Sequence, residues 1–238
     1  MNCTSCNPEL STNFCPDCGQ PKNIKRINGQ YILHEIEHVL HFERGILYTI
    51  RELITNPGHN IRKYLNENRS RLVKPILFII ITSLIYSVLT HFFHIEEKYV
   101  RLEGAEKTSL FKIFQWIEAH YGYANIIMGI FISMWLKLFF NKFGYNLFEL
   151  LILLCFVMGI AMLIFSLFAV LQGMLGVKLV NIGGILGIVY CAWSIGHFYG
   201  KDKISNYIKA LLAYLLGMLT FSILAFFLGL AIDTLVKH

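Results

Sequence analysis

Four cysteines near the N-terminus are spaced like the ligands of a metal ion. Cys3, Cys6, Cys15 and Cys18 form two CxxC pairs separated by eight residues. Two such pairs supply four thiolates that can surround one tetrahedral zinc ion, and Gly19 after the last cysteine permits the tight turn of a zinc knuckle. Because cysteine fills all four positions, no coordination site stays open for water. The pattern therefore predicts a structural Zn²⁺ site in a zinc ribbon over residues 1–22.

Two other interpretations of these cysteines are weaker. Disulfides are disfavoured in the cytosol, and a redox CxxC motif needs a strand and helix context that this segment lacks. A segment of this size cannot build a core, so metal ligation would supply most of its folding energy. The basic run that follows, Lys22, Lys25 and Arg26, is too short to favour nucleic acid. We expect a cytosolic protein to be the partner of the ribbon.

A second possible metal site lies in residues 31–42, which read YILHEIEHVLHF. At 100° per residue, His34, His38 and His41 share one face of a helix, opposite the apolar residues. The segment also matches HExxH, in which two histidines hold zinc and the glutamate, here Glu35, activates water. His41, His59 and Glu67 are the candidates for a third ligand. The competing interpretation is a polar helix face presented to solvent or headgroups, and no catalytic residue is assigned.

The remainder of the chain has the composition of a membrane protein. It is 55% hydrophobic and 15% charged, whereas a soluble domain is roughly 45–50% apolar and 25% charged. A soluble globular enzyme is therefore excluded. Five apolar runs can cross about 30 Å of hydrocarbon as helices; they cover residues 73–93, 123–140, 147–171, 179–198 and 207–236. The second run is the least secure because it contains Lys137, which would have to extend to an interface, and without it four spans would remain.

Charge placement predicts the orientation. Residues 1–18 are polar and contain no apolar signal-peptide core, so we expect a cytosolic N-terminus. Five spans then place the C-terminus outside and 15 of the 21 basic residues in cytosolic segments, as the positive-inside rule requires. These residues are Lys22, Lys25, Arg26, Arg44, Arg51, Arg62, Lys63, Arg69, Arg71, Lys74, Lys137, Lys142, Lys201, Lys203 and Lys209. The net charge of +6 thus indicates a bacterial inner-membrane protein rather than a nucleic-acid-binding one.

Residues 23–72 are predicted to form cytosolic amphipathic helices beside the membrane. Apolar residues recur at helical spacing from Ile46 to Ile54, and Asn56, Pro57 and Gly58 break the pattern before a short second helix. Five basic residues precede the first span, and each could add about 1 kcal/mol of attraction to anionic headgroups; they are Arg62, Lys63, Arg69, Arg71 and Lys74. An equal alternative is that these charges only set topology.

Several motifs of the first 95 residues resemble a family of bacterial membrane proteins with a zinc-ribbon head and no assigned activity. The motifs are FCPDCGQ, HEIEH, RGILYTIRELITNPGHNIRKYL and the Lys74–Pro75 pair before a span. Residues 73–238 are similar in architecture to Yip-type proteins, through residues 146–149, 190–193 and 207–210. That second resemblance implies five spans, an exported C-terminus and a role in membrane organisation or trafficking.

These observations together predict an all-α integral membrane protein with an N-terminal zinc ribbon. We expect it to be non-enzymatic and to recruit a cytosolic partner or organise the lipid bilayer. The alternatives are a zinc-dependent hydrolase that uses the HEIEH helix, and a transporter or channel, for which the spans lack paired buried charges. Gly183 and Gly187 form a GxxxG motif that favours packing within the helical bundle, although it could also form a homodimer.

Overall fold

The computed structural model describes residues 45–67, 69, 71–93, 95 and 109–236. These residues form helices joined by short connections, and no strand occurs among them. The helices are α1 Ile46–Thr55, α2 Pro57–Asn66, α3 Pro75–Phe92, α4 Ser109–Ala119, α5 Tyr121–Phe139, α6 Leu147–Leu175, α7 Val180–Tyr199 and α8 Ile204–Val236, with a 3₁₀ turn at Asn141–Phe143. The prediction of an all-α protein is confirmed for this part of the chain.

Five of these helices are long and apolar enough to cross a membrane, namely α3, α5, α6, α7 and α8. Each begins and ends within four residues of its predicted bounds. The prediction of five spans is therefore confirmed by helix length and composition, and the alternative of four spans is not supported. Lys137 lies in the last turn of α5 and donates a hydrogen bond to the carbonyl oxygen of Tyr145 at 2.7 Å, so its ammonium group reaches the end of the helix as predicted.

The helix ends have local causes in the sequence. Proline occupies the first position of α2 and of α3, where its missing N–H group has no helical partner to lose. A capping box starts α6: Asn146 accepts a hydrogen bond from the backbone N–H of Glu149 at 2.9 Å, and Glu149 accepts one from the N–H of Asn146 at 2.8 Å. The Glu149 side chain, an ionisable group just inside a span, is thus engaged in capping.

Helix α6 is the centre of the bundle. It packs against α3, α5 and α7. Helix α8 also packs against α5 and α7. Gly183 and Gly187 of α7 face Phe168 and Phe165 of α6, so the GxxxG motif is used within the chain. Cys155 and Cys191 are buried free thiols, as expected for small side chains inside spans.

Helix α4 was not predicted. Its residues fall between the first two predicted spans, and residues 109–119 form a helix of eleven residues. It is too short to span hydrocarbon and packs along α8 and α5. The backbone N–H of Ser109 donates to Asp233 Oδ1 at 2.8 Å, which joins the start of α4 to the last turns of α8.

Candidate functional site: the juxtamembrane hairpin

Helices α1 and α2 form a compact unit, hereafter the hairpin, that packs on one end of the bundle. This end, hereafter the hairpin end, is where α3, α6 and α8 begin and where α7 ends. Asn56 separates the two helices, and Asn60 Nδ2 donates to the carbonyl oxygen of Glu52 at 2.8 Å across the break. Leu53 and Ile61 are fully buried in the same core as the spans. The apolar face of the hairpin is therefore buried in protein at Leu53 and Ile61, whereas Leu47 and Ile54 of α1 stay exposed.

Gly58 allows the closest approach between the hairpin and the bundle. A Cβ atom built on Gly58 would lie 2.4 Å from the carbonyl carbon of His197 and 2.5 Å from its oxygen. These neighbours are backbone atoms at the C-terminal end of α7, so they cannot rotate away as a side chain could. The contact requires a residue without Cβ, and position 58 of the sequence supplies it.

Arg62 satisfies backbone groups that the end of α7 would otherwise leave unpaired. The last four carbonyl groups of a helix have no intrahelical partner, and they carry the negative end of the helix dipole. Arg62 Nη1 donates to the carbonyl oxygen of His197 at 3.0 Å and also to that of Phe198. Its guanidinium lies 6.0 Å from the centre of the Phe198 ring. The side chain thus acts as a cationic C-cap on a helix 135 residues further along the chain.

Two further contacts fix the hairpin to α6 and α7. Tyr190 donates a hydrogen bond from its hydroxyl group to the carbonyl oxygen of Leu53 at 3.0 Å, close to the end of α1. Tyr64 packs edge to face on Phe156 of α6, with ring centres 5.1 Å apart. An aromatic pair of this geometry contributes about 0.5–1.5 kcal/mol beyond burial. The hairpin is therefore held by directional contacts as well as by apolar packing.

Arg71 ties the segment between α2 and α3 back to α1. Its guanidinium pairs with Glu52 at 2.6 Å and donates to the Tyr48 hydroxyl at 3.2 Å. The Tyr48 hydrogen bond and the Glu52 carboxylate both raise the pKa of Arg71, so the group stays charged. In the same region, the backbone N–H of Val73 donates to the buried Thr49 hydroxyl at 3.1 Å. The chain therefore enters the first span in a fixed position.

Of the five basic residues that were predicted to meet anionic headgroups, three are engaged in contacts within the protein and two are exposed. Arg62 and Arg71 are engaged inside the protein, and Lys63 lies 3.6 Å from Glu67 in an i,i+4 pair. Arg69 and Lys74 are exposed. Further exposed basic residues at the hairpin end are Arg51, Lys142, Lys201, Lys203 and Lys209. Headgroup binding stays a prediction, and Arg69 and Lys74 are its exposed candidates among the five residues before the first span.

The burial of Tyr64 predicts that the protein loses stability at alkaline pH. Burial raises the pKa of Tyr64 above its ordinary value of 10.0, and the nearby Arg69 opposes this only in part. The unfolded chain therefore ionises more readily than the folded one above about pH 10, so stability falls as pH rises past that value. We expect Tyr64→Phe, which keeps the ring contact, to lose this component of the alkaline dependence in thermal unfolding. An unchanged pH profile in the variant would contradict the assignment.

The predicted metal-binding residues of the N-terminal segment lie outside the described residues. This applies to Cys3, Cys6, Cys15 and Cys18, to His34, His38 and His41, and to Glu35. Among the described residues, no group of three or more His, Cys, Asp or Glu side chains is placed to hold a metal ion. Of the proposed third ligands, His59 is exposed on α2 and Glu67 faces Lys63. The zinc ribbon and the HEIEH site therefore stay predictions.

The five membrane-spanning helices define the chain as a multi-pass helical membrane protein. A family model described as Protein of unknown function (DUF3667) matches residues 43–87, which cover the hairpin and most of α3. The predicted resemblance to a family without assigned activity is supported over this stretch. A search of curated proteins and a search of solved structures each gave no match. The family match therefore falls on the segment whose docking is described above.

Proposed function

We propose that the protein is a non-enzymatic inner-membrane scaffold whose N-terminal zinc ribbon recruits a cytosolic partner. The observation that carries this proposal is the docking of the hairpin on the bundle through Gly58, Arg62 and Tyr190. A segment held in this way is a fixed part of the membrane protein at one end of the bundle, which suits a scaffold.

The charge distribution supports the orientation in this proposal. The exposed basic residues Arg69, Lys74, Lys142, Lys201 and Lys203 all belong to the hairpin end. The opposite end of the described bundle has Lys112 near the start of α4 and Lys178 between α6 and α7. By the positive-inside rule the hairpin end faces the cytosol, and α8 then ends outside. Exposed hydrophobic side chains along the spans, such as Leu84, Leu186 and Leu228, would face lipid.

Metal analysis tests the zinc ribbon. We expect one zinc ion per purified chain, lost when Cys3 and Cys6 are both replaced by serine, because a four-thiolate site cannot retain zinc firmly with two ligands. The described helices pack against one another, so we expect the variant to keep its helical content by circular dichroism. A wild-type chain without zinc would contradict the proposal.

The matched control for this experiment is His34→Ala combined with His38→Ala. The scaffold proposal expects this variant to retain the same single zinc ion as the wild type. A second zinc ion in the wild type, lost in the histidine variant and retained in the cysteine variant, would favour the hydrolase alternative and Glu35 as its general base. The two metal counts therefore separate a structural ribbon from a catalytic helix.

A further inference from the structure

A cavity of about 360 Å³ lies in the middle of the bundle, where α3, α4, α5, α6, α7 and α8 meet. Protein interiors are close-packed, with few voids larger than a water molecule. Small-molecule pockets, by contrast, have volumes of about 300–1,000 Å³. Gly184 contributes to the wall, and a Cβ atom built on it would meet nothing within 4 Å. The cavity therefore has the size of a ligand site.

The wall of the cavity is rich in methionine and aromatic side chains. Four of the seven methionines in the sequence line it, namely Met128, Met158, Met162 and Met218. Tyr86 forms edge-to-face pairs with Tyr121 and Phe165, with ring centres 5.0 and 6.0 Å apart. Thioethers adapt to irregular shapes and make favourable contacts with aromatic rings. Such a wall suits a flat aromatic group.

Asn125 supplies a hydrogen-bonding group in this otherwise mostly apolar wall. Its side chain is buried, and Nδ2 reaches Ser83 Oγ at 3.4 Å, which is long for an N–H···O bond. A primary amide has two N–H donors, so the amide can donate to a ligand as well. No Lys, Arg, His, Asp or Glu side chain lines the described cavity. A charged head would be unpaired there, so the wall selects a neutral group that accepts hydrogen bonds.

A second, apolar groove lies beside this cavity on the side of the bundle. It has a volume of about 330 Å³ and lies between α4, α5 and α8. Trp116, Leu224 and Leu228 line it and are exposed on the lateral surface of the protein. Ile117 and Phe221 line both the groove and the cavity, so two side chains form the partition between them. The groove opens where a membrane would supply hydrocarbon.

We propose that the cavity binds a neutral membrane-soluble molecule with a flat aromatic carbonyl head and a single apolar tail. The head lies among the methionines and accepts a hydrogen bond from Asn125, and the tail follows the groove past Ile117 and Phe221 toward the bilayer. A quinone has this chemistry. A fatty acid would place a carboxylate in a wall without a cation, and a plain alkane would leave the Asn125 amide unused.

The proposal is tested by equilibrium binding of a decyl-substituted benzoquinone to the purified full-length protein in detergent. We expect saturable binding, with decane and decanoic acid at least tenfold weaker. Gly184→Leu should weaken quinone binding at least tenfold, because the new side chain occupies the cavity. Leu215→Phe adds bulk at an exposed position of α8 and should leave the affinity within twofold of the wild type.

Asn125→Leu is the second variant, because it keeps the number and branching of the side-chain heavy atoms and removes the donors. We expect at least fivefold weaker quinone binding with decane binding unchanged. Gel filtration would reveal whether Gly184→Leu fails to fold, and in that case Asn125→Leu still tests the proposal. The proposal is overturned if the wild type does not bind the quinone saturably, if decane or decanoic acid binds equally well, or if Asn125→Leu retains full quinone affinity.

Discussion

Replacing Gly58 by alanine should detach the hairpin from the bundle. The added Cβ atom would lie 2.4 Å from the carbonyl carbon of His197, and relief of this clash requires the two backbones to separate. Overpacking of this kind costs about 1–3 kcal/mol, and here we expect the upper end because the neighbours are backbone atoms. Alanine is a better helix former than glycine by about 1 kcal/mol, so helix propensity alone would stabilise the variant. A net loss of stability would therefore come from the clash with α7.

Thermal unfolding in detergent and limited proteolysis of residues 46–66 would measure the effect. We expect a lower melting temperature and faster cleavage in the hairpin. Gly184→Ala is the matched control, since it is also a glycine inside a helix but its Cβ atom meets nothing within 4 Å. That variant should be neutral or slightly stabilised. Equal behaviour of the two variants would show that the close contact at Gly58 is not formed.

Replacing Arg62 by methionine should weaken the same docking by a different route. The change keeps an apolar stem and removes the cation that caps α7 through the carbonyl groups of His197 and Phe198. A hydrogen bond to a charged group contributes about 1.5–3 kcal/mol. With two such bonds lost and partial access of water to the site, we expect a destabilisation of about 3 kcal/mol.

Lys63→Met is the control for Arg62→Met because it removes the next positive charge on the same helix. Lys63 forms a solvent-accessible pair with Glu67 at 3.6 Å, and such pairs contribute about 0–1 kcal/mol. Urea-induced unfolding should therefore separate the two variants clearly, and hydrogen exchange in α1 and α2 should accelerate only in Arg62→Met. If both substitutions cost the same, total charge rather than capping would explain the effect.

The spans could be predicted because their causes are local. A run of apolar residues about 30 Å long as a helix has few other stable environments than hydrocarbon. Pro57 and Pro75 stand at the first position of their helices, where proline is common. Lys137 could be assigned to a helix end from its position in the sequence. These features require no knowledge of what lies elsewhere in the chain.

The docking of the hairpin could not be predicted because its partners are distant in sequence. The apolar face of α1 has the same pattern whether it meets lipid headgroups or α6, so the sequence suggested a membrane-surface segment. Gly58 was interpreted only as a helix breaker and Arg62 only as a topology or headgroup charge. Their roles depend on where α7 ends, near His197.

The glycines of α7 show the same limit on a finer scale. The GxxxG motif predicted a close helix contact at Gly183 and Gly187, and Gly184 lies between them in the sequence. Gly183 and Gly187 face phenylalanine rings of α6. Gly184 is one residue after Gly183, so it lies on a different face of the helix, and it borders the central cavity. Rotation about the helix axis is set by packing of the whole bundle. The sequence pattern could therefore predict a small-residue face but not the space beside it.

Hydrogen exchange of the hairpin amides in the wild-type full-length protein tests the central claim most directly. If α1 and α2 are part of the bundle, amides of residues 49–65 should exchange orders of magnitude more slowly than those of an unstructured chain, because they open only when the buried contacts of Leu53 and Ile61 are broken. Exchange close to that of a free peptide, with the spans still protected, would contradict the account.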